Sequence, residues 1–278
     1  MTPSPLPDSL HGPTVRRDLG VLALVTVALR LPALFSGRHL TFDDGVFGAS
    51  AVAMRAGGQP FRDVFSSQGP LFLPLLWIAD LFGLRQLNSP RLLSVGAGVA
   101  LVVLVYLVGR SVADRAGALL AAGFTTSSGS VLWVTGPVAA DGVALAFATL
   151  AVGLALHWRE DVTVRRAVAI GLAIGAAVSV KSLVGVVIVP VALVFLAGRR
   201  LWPIVAGAAT SVALHLALWV PWGVSAVWDQ AYQYHLDVAG PRTPGANLKK
   251  TLSTLGDRDA PIVVAVVVAL AIAMIVRW

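Results

Sequence analysis

The stretch LFLPLLWIADLFGL, residues 71–84, decides how the chain is threaded. It is apolar enough to enter a membrane, yet it is short and carries Pro74 and Asp80. A helix needs about 20 residues to cross ~30 Å of hydrocarbon. Positive charge on either side resolves the choice. If 71–84 crosses, Arg110 and Arg115 fall outside, and so does the cluster Arg159, Arg165 and Arg166. If it lies flat in the outer interface, both groups fall inside together with Arg199 and Arg200, as the inward bias of basic residues requires. We therefore read 71–84 as an interfacial helix with Phe72 and Trp77 at headgroup depth.

The rest of the chain fits that threading. With 57% hydrophobic and 13% charged residues, it exceeds what a soluble domain tolerates on its surface. The expected fold is all-α: a polytopic helical membrane protein of about eight transmembrane helices, with interfacial helices in the first external loop. Residues 1–18, with Pro3, Pro5, Pro7 and Pro13, read as a disordered cytoplasmic tail ending near Arg16 and Arg17; 19–278 form one transmembrane unit. Its first span is Leu19–Ser36. The others are Leu92–Gly109, Ala116–Val134, Gly142–His157, Ala167–Val180, Leu183–Ala197, Trp202–Val220 and Ile262–Val276. Long external loops cover 37–91 and 221–261. Trp228, Tyr232 and Tyr234, and the spacing of Leu248, Leu252 and Leu255, predict interfacial helices in the second loop. Ala167, Gly171 and Gly175 recur every four residues and predict close helix packing. The chain stops directly after a span, which reads as a C-terminally incomplete unit.

Several function classes are set aside by composition. Cysteine is absent, so thiolate chemistry and disulfides are unavailable. The formal charge of +7 is spread over span ends, which fits topology and lipid headgroups rather than nucleic acid. No glycine loop of the nucleotide-binding type occurs, which argues against ATP or a soluble nucleotide sugar. His39 and His235 have no His or Cys partner at ligand spacing, so no metal site is indicated; no cofactor is expected, and the sequence leaves open whether a divalent metal is needed.

Ionisable groups at membrane depth are costly unless paired or solvated, and are therefore functional candidates. Asp43 and Asp44 follow the first span, in FDDGVFGASAVAM from Phe42. Asp141 opens a span, and Lys181 lies between two others. On the threading above all four come out at the external face. Carboxylates and a lysine there suit transfer of a group from an anionic lipid carrier: an aspartate takes the proton of an attacking hydroxyl and a lysine neutralises the departing phosphate. Structural roles compete. Asp43 or Asp141 is also suited to cap a helix, and Lys181 to snorkel. Arg30 suits either a phosphate contact, an aspartate pair or snorkelling. The run Thr125, Thr126, Ser127, Ser128 and Ser130 fits either a polar groove or bonding to its own helix carbonyls.

From Arg30 to about Tyr234 the chain resembles the polytopic glycosyltransferases of the C-type fold that use polyprenyl-phosphate sugars, including the protein O-mannosyltransferases and lipid A aminoarabinose transferases. The resemblance is carried by RLPALF, FDDGVFGASAVAM, GQPFRDVFSSQGPLFLPLLW, RLLSVGAGVALVVLVYLVGR with ADRAG, VAADGVALAF and GLAIGAAVSVKSLVGVVIVP, in that order. It implies that Asp43 is the catalytic acidic residue, with Asp44 its usual acidic neighbour. It also implies that Asp141 is the carboxylate of the second external loop and that Lys181 contacts the donor phosphate. The implied reaction inverts the sugar: an acceptor hydroxyl attacks and polyprenyl phosphate leaves. Where many relatives have a lysine before the interfacial helix, this chain has Gln68-Gly69-Pro70, so the phosphate site either lacks one cation or takes it from Arg62 or Arg38. Phe47 stands where relatives often have tyrosine, and relatives are usually longer.

The resulting expectation is a membrane glycosyltransferase acting on the external face of a plasma membrane, the bacterial inner membrane by its composition. Its catalytic residues are Asp43, Asp44 and Asp141, and its phosphate contacts are Lys181, Arg62 and Arg30. The partners are a polyprenyl-phosphate sugar donor, a lipid, glycan or protein acceptor and membrane lipids, without nucleic acid. Two rivals stand beside it: a transporter or lipid flippase, and a non-catalytic or truncated relative that binds a lipid-linked sugar. A transporter predicts inverted repeats with charges near the midplane. Here the charges gather at one face and no repeat is visible.

Overall fold

The computed structural model describes residues 12–35, 41–86, 88–197, 201–238 and 245–277. Arg38, His39, the pair Arg199 and Arg200, and the tail before Gly12 lie outside the described residues. The described chain is all-α, and its only β-type pairing is an isolated bridge between Pro60 and Val64.

Helix α1 (Pro13–Phe35) starts within the stretch expected as tail, so Pro13–Asp18 are helical. After it come α2 (Phe42–Arg55), α3 (Phe72–Phe82) and α4 (Arg91–Val112). Side chains at the two ends of α1 fix the threading. Near its start, the Asp18 carboxylate accepts from Arg115 Nε and Nη2, both at 2.7 Å, and from the Tyr106 hydroxyl at 2.8 Å. At its other end the Ala33 carbonyl accepts from Arg91. Helix α4 thus begins where α1 ends and finishes where α1 begins. The whole stretch between them leaves and re-enters at one end of the bundle.

α3, with 11 residues, is ~16 Å long and does not cross. Its Asp80, unexpected in so apolar a run, is completely buried and meets Arg55 Nε of α2 at 3.0 Å. The pair pins the two helices of the loop together. Phe47 of α2 packs edge-on against Phe72 of α3 with centroids 4.7 Å apart, over a core that includes Leu73, Leu76, Val143 and Val180. The apolar face of α2 therefore points into the bundle, and its N-terminus is held at the rim.

The next crossing is bent. α5 (Arg115–Ser127) and α6 (Gly129–Thr135) meet at 61°, with Ser128 Oγ capping α6 by accepting from the Val131 amide at 3.1 Å. α7 (Ala140–His157) descends and α8 (Val164–Val180) returns. A 3-10 turn, Ser182–Val187, leads to α9 (Ile188–Ala197), and α10 (Leu201–Ala217) climbs again. Small residues bring α8 against α10 as the four-residue spacing predicts: a Cβ on Gly171 would sit 2.3 Å from the Gly207 carbonyl oxygen.

Short helices α11 (Val224–Trp228) and α12 (Tyr234–Asp237) follow, joined by a π-helical turn, Asp229–Gln233. The last helix, α13 (Ala246–Arg277), is continuous through Pro261. Leu248, Leu252 and Leu255 are helical as their spacing predicts, but they extend the final expected span rather than forming a separate helix.

Among the described residues four stretches are long and apolar enough to cross a membrane: α1, α4, α7 and Leu201–Trp222. The bent α5–α6 pair makes a fifth. The expected spans Ala167–Val180, Leu183–Ala197 and Ile262–Val276 are also largely helical, within α8, the 3-10 turn with α9, and α13.

Candidate active site

The rim of the bundle is organised by a helix cap. Thr41 precedes α2 in extended conformation, and its hydroxyl accepts from the Asp44 amide at 3.1 Å while the Asp44 carboxylate accepts from the Thr41 amide at 3.0 Å. This reciprocal box satisfies two backbone donors that the first turn leaves free. Asp44 also accepts from Arg91 Nε and Nη2, each at 3.1 Å, and from the Val138 amide at 2.8 Å. One buried carboxylate thereby joins the start of α2, the start of α4 and the segment before α7. Burial pushes Asp44 upward, but the Arg91 bonds and the Val138 and Thr41 amides outweigh it and hold the carboxyl below its ordinary range.

Asp43 is the opposite case. It is exposed, its carboxylate makes no hydrogen bond or ion pair among the described residues, and it is not the cap, a role that falls to Thr41. Partial enclosure raises its pKa, as does the nearby charge of Asp141 and, less, that of Asp44; Lys181 pulls it down. A free carboxylate with a raised pKa, under the charges of another carboxylate and a lysine, is chemically suited to take up a proton.

Asp141 and Lys181 form a close pair, with Lys181 Nζ donating to both Asp141 oxygens at 2.8 and 2.7 Å. Lys181 ends α8 in extended conformation, and Asp141 lies in the first turn of α7 without capping it. The lysine is held by a specific partner rather than snorkelling freely. It lines a cavity of about 460 Å³ together with Ser67, Gln68, Trp228, Tyr232 and His235.

The two external segments build this cavity jointly. The Gly69 and Leu71 amides donate to the Val180 and Ser179 carbonyls at 3.0 and 2.9 Å, which anchors the entry to α3 beside Lys181. Gln230 accepts from the Ser66 amide at 3.0 Å and donates to the Phe61 carbonyl at 2.7 Å, and His235 donates to the Ser67 carbonyl at 2.7 Å. Ser179, His215 and Tyr232 form a hydrogen-bonded chain, 2.9 Å to Nδ1 and 2.8 Å to Nε2, and burial pushes the Tyr232 phenol up to about 12. A lysine and flat aromatic walls suit a phosphate joined to a sugar.

The remaining candidates separate from this group. Arg30 does not snorkel or meet an aspartate; it is 1% exposed, donating from Nε to Thr135 Oγ1 at 2.8 Å and from Nη1 to the Thr26 carbonyl at 3.0 Å. Arg62 is exposed on the 59–64 turn, with no side-chain hydrogen bond or ion pair among the described residues. The hydroxyl run does not line a groove: Thr125 and Ser127 bond to the Ala121 and Gly123 carbonyls of their own helix, and Thr126 faces Thr26. Among the described residues no three His, Cys, Asp or Glu side chains gather as a metal ligand set.

Sequence reasoning passed over Arg91, the partner that defines the rim. A signal was present: arginine in the first turn of a helix opposes the helix dipole and calls for a carboxylate nearby.

The sequence model of the dolichyl-phosphate-mannose-protein mannosyltransferase family matches residues 67–224. The chain belongs to this family. Solved structures of related fold agree with it. A protein O-mannosyltransferase complex of S. cerevisiae bound to the sugar donor is 20% identical, with a TM-score of 0.60 over 80% of this chain. An oligosaccharyltransferase of Archaeoglobus fulgidus in complex with zinc and sulfate is 19% identical, with a TM-score of 0.57 over 93%. An archaeal oligosaccharyltransferase from Archaeoglobus fulgidus, in complex with an inhibitory peptide and a dolichol-phosphate, is 18% identical, with a TM-score of 0.58 over 96%. The chain spans 34%, 39% and 38% of those three proteins respectively. No curated protein sequence matches significantly. Family and fold together make this a multi-pass membrane protein of the C-type glycosyltransferase fold.

Proposed function

We propose that this dolichyl-phosphate-mannose-protein mannosyltransferase family member transfers a sugar from a polyprenyl-phosphate carrier to an acceptor hydroxyl at the external face of a plasma membrane, in bacteria the inner membrane. The observation that carries the reading is the free Asp43 carboxylate, which feels the charges of Asp141 and Lys181, together with the Asp141–Lys181 pair whose lysine lines a cavity. Asp43 takes the proton of the acceptor hydroxyl as its oxygen bonds to the anomeric carbon. The bond from that carbon to the phosphate oxygen breaks on the opposite side, so the configuration inverts. Lys181 and the surrounding donors stabilise the phosphate that leaves.

Asp141 orients Lys181 and keeps Asp43 basic. Asp44, assigned to the catalytic set by sequence, works through position: it fixes the turn on which Asp43 stands. Neither Arg30 nor Arg62 joins the donor phosphate in this scheme.

The test is transfer by the full protein in membranes, with polyprenyl-phosphate mannose and related pentosyl and hexosyl donors and hydroxyl acceptors of lipid, glycan and peptide type. A product of inverted anomeric configuration is expected with at least one pairing. Movement of donor across the bilayer without transfer contradicts the reading in favour of a flippase.

A further inference from the structure

A second cavity, about 850 Å³, opens on the far side of the Asp44–Arg91 pair, between the outer ends of α1, α2, α4 and α6. Much of its wall is apolar, including Leu29, Pro32, Leu132 and Trp133, and its ionisable lining groups are Arg30, Arg91 and Asp44. Asp44 is engaged by Arg91, so the lining carries one positive charge in excess. That charge belongs to Arg30, whose Nη2 is buried and has no hydrogen-bond partner among the described residues.

A buried cation without a counter-ion is strongly unfavourable. Residues 36–40, which connect α1 to Thr41, contain no Asp or Glu, and neither do 198–200 or 239–244. The one other Asp or Glu outside the described residues is Asp8, five positions before α1 in sequence, and Arg30 lies ~26 Å along that helix from its first residue. The arginine is nonetheless accommodated deliberately: a Cβ on Gly98 of α4 would lie 2.5 Å from Arg30 Nε. Its position, five residues before the end of α1, is close to headgroup depth.

We infer that this cavity binds an amphiphile with an anionic phosphate head, the phosphate meeting Arg30 Nη2 and the apolar part lying along Leu29, Leu132 and Trp133. It is separate from the Lys181 cavity and rests on no step of the transfer reaction, so the two readings fail independently.

Trp133 lines the cavity and reports on it. Purified full-length protein in neutral detergent is titrated with brominated phosphatidylglycerol or brominated phosphatidylcholine. The Trp133 signal is taken as the difference from Trp133→Phe. Phosphatidylglycerol is expected to quench at about fivefold lower mole fraction, from the contribution of a single basic residue to anionic lipid binding. Arg30→Met removes the preference. Arg258→Gln, which deletes the guanidinium lying 4.2 Å over the Trp133 ring, retains it.

Equal quenching by the two lipids, or a preference that survives Arg30→Met, overturns the inference. So does displacement of the lipid by millimolar inorganic phosphate, which marks a site for soluble phosphate. A readout free of variants is thermal melting of the wild type, which phosphatidylglycerol raises and phosphatidylcholine does not; no difference between them counts against the site.

Discussion

Arg91→Met is the perturbation whose size follows most directly from the structure. It removes two charge-assisted bonds to Asp44, at 3.1 Å each, and the bond to the Ala33 carbonyl. The pair is buried, with side chains 4% and 2% exposed, so water does not replace what is lost. Asp44 keeps Thr41 and Val138 but becomes a buried carboxylate without its cation. Breaking such a pair from one side costs about 3–5 kcal/mol, a shift of roughly a hundredfold to a few thousandfold in the unfolding constant. Combining it with Asp44→Asn removes the stranded charge, and the double variant is expected to be more stable than Arg91→Met alone by more than ~1.5 kcal/mol.

The sign with pH is also fixed. The Asp44 carboxyl is held below its unfolded value of about 3.9, so its contribution is present above that pH and disappears as pH falls through the depressed folded value. In Arg91→Met much of that acid sensitivity is gone. The assay is reversible unfolding in mixed detergent micelles, followed by tryptophan fluorescence at neutral and acid pH. A cost for Arg91→Met under ~1 kcal/mol, or a double variant no more stable than the single, refutes the claim that this pair holds the rim.

Further outcomes follow from the same geometry. Thr41→Ala loses the capping box and is expected to cost ~1 kcal/mol of stability. Asp43 acts as base only when ionised, so the acid limb of transfer lies above the ordinary carboxylate range; Asp141→Asn, which removes a charge that raises Asp43, moves that limb to lower pH, and Lys181→Met moves it to higher pH. A limb that stays in place in both variants, read from kcat against pH, contradicts the electrostatic linkage. Lys181→Met also weakens donor binding, seen as a higher KM for the polyprenyl-phosphate sugar, whereas Arg62→Met leaves KM unchanged because Arg62 is exposed and makes no side-chain bond to the site.

The threading was legible because one short element carried it. The length of 71–84 and the placement of basic residues predicted a helix that does not cross, and α3 with its Arg55–Asp80 pair is that helix. The small-residue face of α8 and the grouping of Asp43, Asp141 and Lys181 were legible for similar reasons, since period and span ends are local properties. The division of labour between Asp43 and Asp44 was not. Consecutive residues on a helix point ~100° apart, so two adjacent carboxylates face different surroundings, and only the packing of α2 decides which turns inward. Arg91 was missed because its partner lies 47 positions away, and the cover of the Lys181 cavity because Gln230 and Ser66 are 164 apart. Arg30 was assigned to the donor phosphate because sequence places it at the right face; side-chain contacts put it behind the rim instead.

The central claim is that Asp43, and not its buried neighbour, takes the proton. The direct measurement compares single-turnover transfer by wild type and Asp43→Asn in proteoliposomes with saturating polyprenyl-phosphate sugar, alongside donor binding. The account predicts a rate about a hundredfold to ten-thousandfold lower with donor affinity retained, the range expected for loss of a general base. Transfer within a few fold of wild type in a folded, donor-binding Asp43→Asn protein contradicts it.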